Sequence, residues 1–412
     1  MGGAPRPPYA APILMGSVNA VQFVRLVHPP HVGVLASDAL GWTRPIRASR
    51  THLAATMDWL CRAQDASRGG GVSACYSLLR GWDEPYPETT GYIIPTFFDY
   101  AAFSQRPTFG ERARRMGEWL LSIQLKNGAF QAGYFHGTPD DANPSVFNSG
   151  QILLGLTRLY RETADQRYLT SACRVGDWIL SMQSPDGAWR GGLSFHGPTT
   201  PVRTYYARVG WALMELGAIA DDMRYFDAGR RHGAWVVAQQ QDNGWFRNNE
   251  FWAGHPPFTH TIAYVMEGLL GIAAHSRQQE PVNAVLKTAT KLLHLFETRG
   301  NLAGDYDQDW KSKARYRCMT GEAQVSGVWL QIYRLTGDIR FLNASMKLND
   351  RLKSSQHLGS HFNAIRGGVK GSQPLWGKYH RLAYVNWGGK FLADTLMAEI
   401  GALAKFGGEV DA

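Results

Sequence analysis

Residues 165–189 read DQRYLTSACRVGDWILSMQSPDGAW, and this stretch holds the unit from which most of the chain is built. The pattern is Trp, Gln five residues on, then Gly and an aromatic. It occurs as Trp178-Gln183-Gly187-Trp189, as Trp119-Gln124-Gly128-Phe130 and as Trp235-Gln240-Gly244-Phe246. A looser copy opens the series at Trp59-Gln64, and another, without its Trp, is centred on Gln356. Gln64, Gln124, Gln183 and Gln240 stand 60, 59 and 57 residues apart, and Gln356 follows 116 later, twice 58. A decayed copy therefore belongs near Thr298, in LFETRGNLAG. Fixed-period self-similarity of this length signals a repeat architecture, here six units.

A second marker keeps the same register: Asp165-x-Arg167-Tyr168, Asp222-x-Arg224-Tyr225 and Asp338-x-Arg340-Phe341. Before the first of these, GQILLGLTRLYRETAD places apolar residues at i, i+3, i+4 and i+7, one face of a helix. The Asp is placed to cap the helix that follows, and the Gly after each Gln ends that second helix. Each unit is thus a helical hairpin followed by a longer Gly- and Pro-rich loop. A lone hairpin cannot bury its apolar face, and an open stack would need polar end units, which the sequence lacks. The expectation is an all-α (α/α)6 toroid over residues 51–412, preceded by a Pro-rich, mostly irregular extension over residues 1–50.

Composition agrees with a globular chain: 44% of the 412 residues are apolar, enough for a large core, and only 19% are charged. The net charge of +9 favours acidic partners, but no Lys/Arg run of a nucleic-acid arm occurs. The four cysteines form no CxxC pair and read as buried thiols of a reducing compartment. Neither a signal peptide nor a spanning segment is evident, so a cytoplasmic location is expected. No cofactor is implied, and the oligomeric state is not legible.

The first helix of each hairpin should line the ring, so six helix starts converge on one mouth: PETTGYIIP, FNSGQILLG, YYARVGWAL, THTIAYVME, TGEAQVSGV and VNWGGKFLA. They carry Glu88, Tyr92, Asn148, Gln151, Tyr206, Arg208, His260, Tyr264, Glu322, Gln324, Asn386 and Lys390. Loops before them add Trp252 and His255, then Asp305, Asp307, Asp309, Trp310 and Tyr316, then Trp376, Tyr379, His380 and Arg381. Paired donors and acceptors with aromatic faces suit a saccharide, and helix N-termini favour oxygen-rich ligands. Each residue also has a structural reading. Asn148 can be an N-cap, His260 a satisfied core histidine, and Tyr92 and Tyr264 core packing; Glu88 and Glu322 gain from the helix dipole alone. The Asp305–Asp309 run reads more readily as a solvated loop than as a Ca²⁺ site.

The Trp–Gln–Gly–Trp pattern resembles the QW repeat of terpene cyclases, and similar hairpins build polysaccharide lyases, hydrolases and uronyl epimerases. Through YPETTGYIIPTF, VFNSGQILLGL, FTHTIAYVMEGLL and NWGGKFLADTL, the chain also resembles toroidal proteins of bacterial exopolysaccharide gene clusters. Its fifth unit is distantly similar to glucuronyl C5-epimerases, and that resemblance adds Tyr306 to the candidates beside Tyr316 and Glu322. The Asn-Asn-His run of toroidal alginate lyases is absent. So are the acidic motif of class II terpene cyclases and the zinc ligands of prenyltransferase and lanthionine-cyclase toroids.

Three functions follow as expectations. The first is a carbohydrate-active enzyme on a uronate-containing polysaccharide or oligosaccharide that moves a proton at C5 as an epimerase or lyase. His260, Tyr264 and Tyr316, with Glu322 and Glu88, would be the catalytic candidates. Tyr92, Asn148, Gln151, Tyr206, Arg208, Trp252, Trp310, Gln324, Trp376, Tyr379, Arg381, Asn386 and Lys390 would bind substrate. The second is hydrolysis by two carboxylates drawn from Glu88, Glu322, Asp307 and Asp140. The third is a polysaccharide-binding toroid without chemistry.

Overall fold

A computed structural model describes residues 19–191, 202–252 and 254–404. Within the extension lie two short helices, α1 (Ala20–Leu26) and α2 (Pro29–Ala39). Residues 1–18 of that extension fall outside the described part. The ring begins with α3 (Ser49–Asp65). Five hairpins follow: α4 (Pro87–Ser104) with α5 (Thr108–Ile123), α6 (Val146–Thr163) with α7 (Gln166–Ser181), α8 (Ala207–Ala220) with α9 (Met223–Val237), α10 (Thr259–Ser276) with α11 (Gln279–Arg299), and α12 (Met319–Thr336) with α13 (Ile339–Lys353). The last helix is α14 (Asn386–Ala404).

The even-numbered helices from α4 to α14 form the inner ring. Each packs on the next, and α14 returns to α4. The outer layer is α5, α7, α9, α11 and α13, each against its hairpin partner, and α3, which backs α14. The toroid is therefore closed, and its sixth pair joins the two ends of the repeat region. Three strands at this seam, β1 (Cys75–Ser77), β2 (Gly81–Trp82) and β5 (Ala383–Val385), form an antiparallel sheet in the order β2-β1-β5. A second ladder joins β3 (Arg317–Cys318) to β4 (Ser372–Gln373).

The repeated residues explain why the hairpins stack. Gln183 Nε2 donates to Gly187 O at 3.0 Å, closing its own turn, and to Ala228 O of the next outer helix at 2.9 Å. Gln124 does the same to Gly128 O (2.8 Å) and Ser171 O (3.0 Å), and Gln64 to Gly70 O and Arg112 O, both 3.1 Å. Gln240 reaches Gly244 O at 3.5 Å and Ala284 O at 2.7 Å. Each glutamine thus ties the turn after its own helix to the backbone of the next outer helix. At the decayed copy Thr298 bonds only within its own helix, to His294 O at 2.8 Å. The Asp markers cap as expected: Asp165, Asp222 and Asp338 accept from the N–H groups of Arg167, Arg224 and Arg340 at 2.9, 2.9 and 3.0 Å.

The core is the layer between inner and outer helices, with Trp59 and Trp329 fully buried within it. Inner helices approach closely through small residues. A Cβ on Gly155 of α6 would stand 2.2 Å from the carbonyl oxygen of Gly91 on α4, so only glycine fits there. No helix is long and apolar enough to cross a membrane among the described residues.

Candidate active site

The inner helices begin at one face of the ring, as the repeat register requires, but their mouth is not an open funnel. Aromatic side chains from helix starts and loops interlock over it. Phe147 stacks on Tyr206 at 5.3 Å and meets Tyr205 edge-on at 5.0 Å, while Phe258 meets Tyr379 at 5.1 Å. Beneath them remains a cavity of about 20 Å³. That is room for roughly one water, against the several hundred cubic ångströms usual for a ligand pocket. The sequence pointed to aromatics at the mouth, and the structure packs them against one another.

Five residues singled out from sequence line this cavity: Glu88 and Tyr92 from α4, His260 and Tyr264 from α10, and Tyr379 from the loop before α14. Glu88 is buried, and Tyr86 Oη donates to its Oε2 at 2.8 Å. Burial raises the Glu88 pKa to about 7, against the opposing pull of the Tyr86 hydroxyl and Arg208. Tyr264 is also pushed upward by burial, so it stays a neutral phenol. Burial lowers the pKa of His260 to about 3, so its imidazole is uncharged near neutrality.

The tautomer of His260 follows from its partners. Gln324 Nε2 on α12 donates to Glu267 Oε2 at 3.1 Å, which turns Gln324 Oε1 towards the histidine. That oxygen lies 2.5 Å from His260 Nδ1, so Nδ1 carries the proton and Nε2 holds the lone pair. Gly321 makes this contact available, since a Cβ there would stand 2.6 Å from the His260 backbone nitrogen. Arg208 anchors the far end of the relay. It ion-pairs with Glu267, donates from Nε to Gln151 Oε1 at 2.7 Å, and sits 4.9 Å from the Tyr264 ring centroid. Arg208, Gln151 and Gln324 thus lie in the ring interior and orient His260 through one another.

His380 lines the same cavity. Its φ of +47° lies in the left-handed region, uncommon for a non-glycine residue. Its ring packs 4.4 Å from Trp387 and 4.8 Å from Tyr379. Burial, then the neighbouring His260 and Arg80, hold its pKa well below the usual histidine value. The sequence showed His380 in an aromatic loop without distinguishing it. Phe251 and Trp387 also reach the cavity; Trp387 lies in the sixth helix start, VNWGGKFLA, but was not itself singled out, and nothing in the local sequence marks Phe251.

The other candidates lie elsewhere. Asn148 accepts from Ser145 Oγ at 2.8 Å on the first turn of α6. Asn386 binds the seam, donating to Ser73 O at 3.0 Å and Thr89 Oγ1 at 2.9 Å. Lys390 pairs with Asp394 at 2.6 Å. Trp252 packs outside the cavity, 5.7 Å from Phe251. Trp310 is buried against Trp245 at 5.2 Å and donates to Asn243 O at 3.1 Å. Trp376 is exposed, and its carbonyl accepts from Arg381 Nε at 3.1 Å. Tyr316 donates to Asp305 Oδ2 at 2.8 Å, and the fully buried Glu322 is forked by Arg317; neither lines the cavity. Tyr306 donates nothing to it either, its hydroxyl accepting from Ala303 N at 2.8 Å.

The carboxylates proposed as hydrolytic partners do not gather. Asp140 closes an exposed turn, accepting from Ala142 N at 3.1 Å, and Asp307 accepts from Asp309 N and Lys311 N at 3.0 and 2.8 Å. Glu88 is the one carboxyl group lining the cavity among the described residues. No cluster of metal-ligating side chains occurs among them.

No protein-family model matches this sequence, and no curated protein does. Solved structures do. An unsaturated glucuronyl hydrolase specific for heparin aligns at TM-score 0.68 and 14% identity, covering 86% of this chain and 98% of its own. A cellobiose 2-epimerase from Bacillus thermoamylovorans aligns at TM-score 0.67 and 14% identity, covering 85% and 98%. An unsaturated glucuronyl hydrolase from Bacillus sp. GL1 aligns at 0.66 and 11%, covering 85% and 96%. At such identities the likeness establishes the shared toroid; function has to be argued from side chains.

Proposed function

We propose that the chain is a carbohydrate-active enzyme of the epimerase type. It removes a proton from a saccharide carbon beside a carbonyl or carboxylate and returns one to the other face. The carrying observation is that two uncharged imidazoles, His260 and His380, border one cavity, and that the lone-pair nitrogen of His260 is fixed by Gln324. His260 accepts the proton from carbon and becomes imidazolium, while His380, charged by a proton drawn from water once substrate opens the site, donates to the opposite face and returns to its neutral form, so one proton leaves the carbon and one from solvent replaces it. Glu88, with a pKa of about 7, is protonated in about half the molecules at neutrality, and in that form its carboxyl hydrogen-bonds the oxygen on which negative charge develops. The names of the structurally similar proteins include both sugar epimerases and glycoside hydrolases. Paired-carboxylate hydrolysis has less support here, because the cavity holds one carboxyl where that chemistry needs two.

A cavity of about 20 Å³ cannot hold a sugar ring, so binding on this reading displaces the interlocked rings that cover it. The test is incubation with neutral and acidic oligosaccharides in D₂O. Deuterium on carbon without chain cleavage is expected, and His260→Ala should slow it by about 10²–10⁴-fold, the usual contribution of a general base. New reducing ends with no deuterium on carbon would replace this reading with hydrolysis.

A further inference from the structure

A second pocket, of about 360 Å³, opens between the end of α11 and the strand β3. Unlike the central cavity, it already has the volume of a small-ligand site. Arg299, Arg315 and Arg317 line it, with Asn301, Tyr316 and Gln373. Arg317 forks onto Glu322, and that pair is self-neutralising. Asp305, the nearby carboxylate, already accepts from Tyr316 Oη (2.8 Å) and Ser312 Oγ (3.1 Å). Arg299 and Arg315 have no hydrogen-bond or ion-pair partner for their guanidinium groups among the described residues. Three guanidinium groups thus line the pocket near two carboxylates, both already engaged.

The rest of the lining is rigid and polar. Tyr316 is clamped by backbone: Cβ atoms built on Gly304 and Gly377 would stand 2.3 and 2.6 Å from it. Its hydroxyl is held by Asp305, so what it has left to offer a ligand is its ring. Asn301 adds an amide that pairs with hydroxyl groups, while the Gln373 amide is spent on Asp38 and Lys370. The position of Arg299 in the last turn of α11 is favoured by the helix dipole. That accounts for Arg299 and leaves Arg315 and the cavity unexplained.

We infer that this pocket is a binding subsite for an acidic sugar unit, a uronate residue of an oligosaccharide. Its carboxylate lies on the free forks of Arg299 and Arg315, and a hydroxyl on the Asn301 amide. Guanidinium forks match planar carboxylates in geometry as well as charge. The inference deepens the proposed function and rests on it for the substrate class. Gln373 and the cavity residues Tyr379 and His380 share one loop, so an acidic chain held here is presented on the same face of the ring.

The experiment is calorimetric titration of the full chain with tetragalacturonate, with cellotetraose and with inorganic phosphate, for the native protein and for Arg299→Ala/Arg315→Ala. Both arginines are exposed, and neither lines the central cavity. Salt-dependent binding of tetragalacturonate, weakened at least tenfold in the double variant, with cellotetraose unchanged, is the expected result. Equal affinity of the two proteins for tetragalacturonate overturns the assignment. Phosphate binding as tightly as the oligosaccharide also overturns it, in favour of a bare oxyanion site. A single-stranded oligonucleotide, titrated alongside these, binding more tightly overturns the choice of saccharide. Binding is read without turnover, so loss of deuterium exchange alone would sink the proposed function and leave this subsite standing.

Discussion

The carboxylate of Asp38, on α2, accepts a 2.8 Å hydrogen bond from the backbone N–H of Leu375, 337 residues further along the chain. The same carboxylate ion-pairs with Lys370 and accepts from Gln373 Nε2 at 3.1 Å. Both charged side chains are almost fully buried. The extension thereby pins the loop that carries Tyr379 and His380 to the cavity. Asp38→Ala strands a buried ammonium, and removing one member of such a pair costs about 3–5 kcal/mol. Urea unfolding should show a loss of that size; a loss below about 1 kcal/mol would mean the pin bears little.

Gly321 sets how near α12 comes to α10. Gly321→Ala puts a methyl group against the His260 backbone and pushes Gln324 away from the imidazole. Overpacking of this kind costs about 1–3 kcal/mol. The sharper readout is nitrogen NMR of the histidine. In the native protein His260 should show a protonated Nδ1, and in the variant this signature should weaken. An unchanged tautomer would show that Gln324 does not select it.

Stability should fall as pH drops below about 6.5. The buried His232, His260 and His357 have pKa values lowered to about 4, 3 and 3, chiefly by burial. Between these values and 6.5 the unfolded chain binds protons that the folded one refuses, at up to about 1.4 kcal/mol per pH unit for each histidine. Glu88 acts in the opposite direction. Its raised pKa means the folded state takes up a proton between about 7 and the ordinary 4.5, gaining stability as pH falls. Urea midpoints from pH 7.5 to 5 should therefore flatten for His260→Gln and steepen for Glu88→Gln. The same slope in both variants would refute these assignments.

The glutamine staples can be weighed against the decayed copy. Gln183→Ala removes donors from Gly187 O and Ala228 O, at about 1 kcal/mol per bond, so roughly 2 kcal/mol is lost. Thr298→Ala removes bonds confined to α11 and should cost under about 0.5 kcal/mol. Denaturation curves that rank the two the other way would show that the repeat marker does not carry the stacking.

The toroid was legible because Gln and Asp do the same job at each turn, and a job repeated every 58 or so residues leaves a period. Four of the five tight turns inside hairpins were not marked. Gln105, Ala164, Asp221 and Arg277 take φ of 50–57°, where glycine would have announced the turn. The central site was half legible. Glu88, Tyr92, His260 and Tyr264 sit at helix starts whose convergence the register dictates. His380 arrives on an irregular loop, and its place depends on Asp38 and the β1–β5 ladder, contacts between the far ends of the sequence. Arg208 was expected to bind substrate, but its partner could not be told from sequence: Glu267, about two turns into α10, takes its charge.

The pairing of α3 with α14 has a consequence for how the chain assembles. The first outer helix waits for the last inner one, so during synthesis five hairpins must persist as an unclosed arc until nearly the whole sequence has emerged. The apolar flank that α14 will cover is exposed throughout that interval. Shortening the chain before residue 386 should therefore yield aggregates instead of a smaller folded ring.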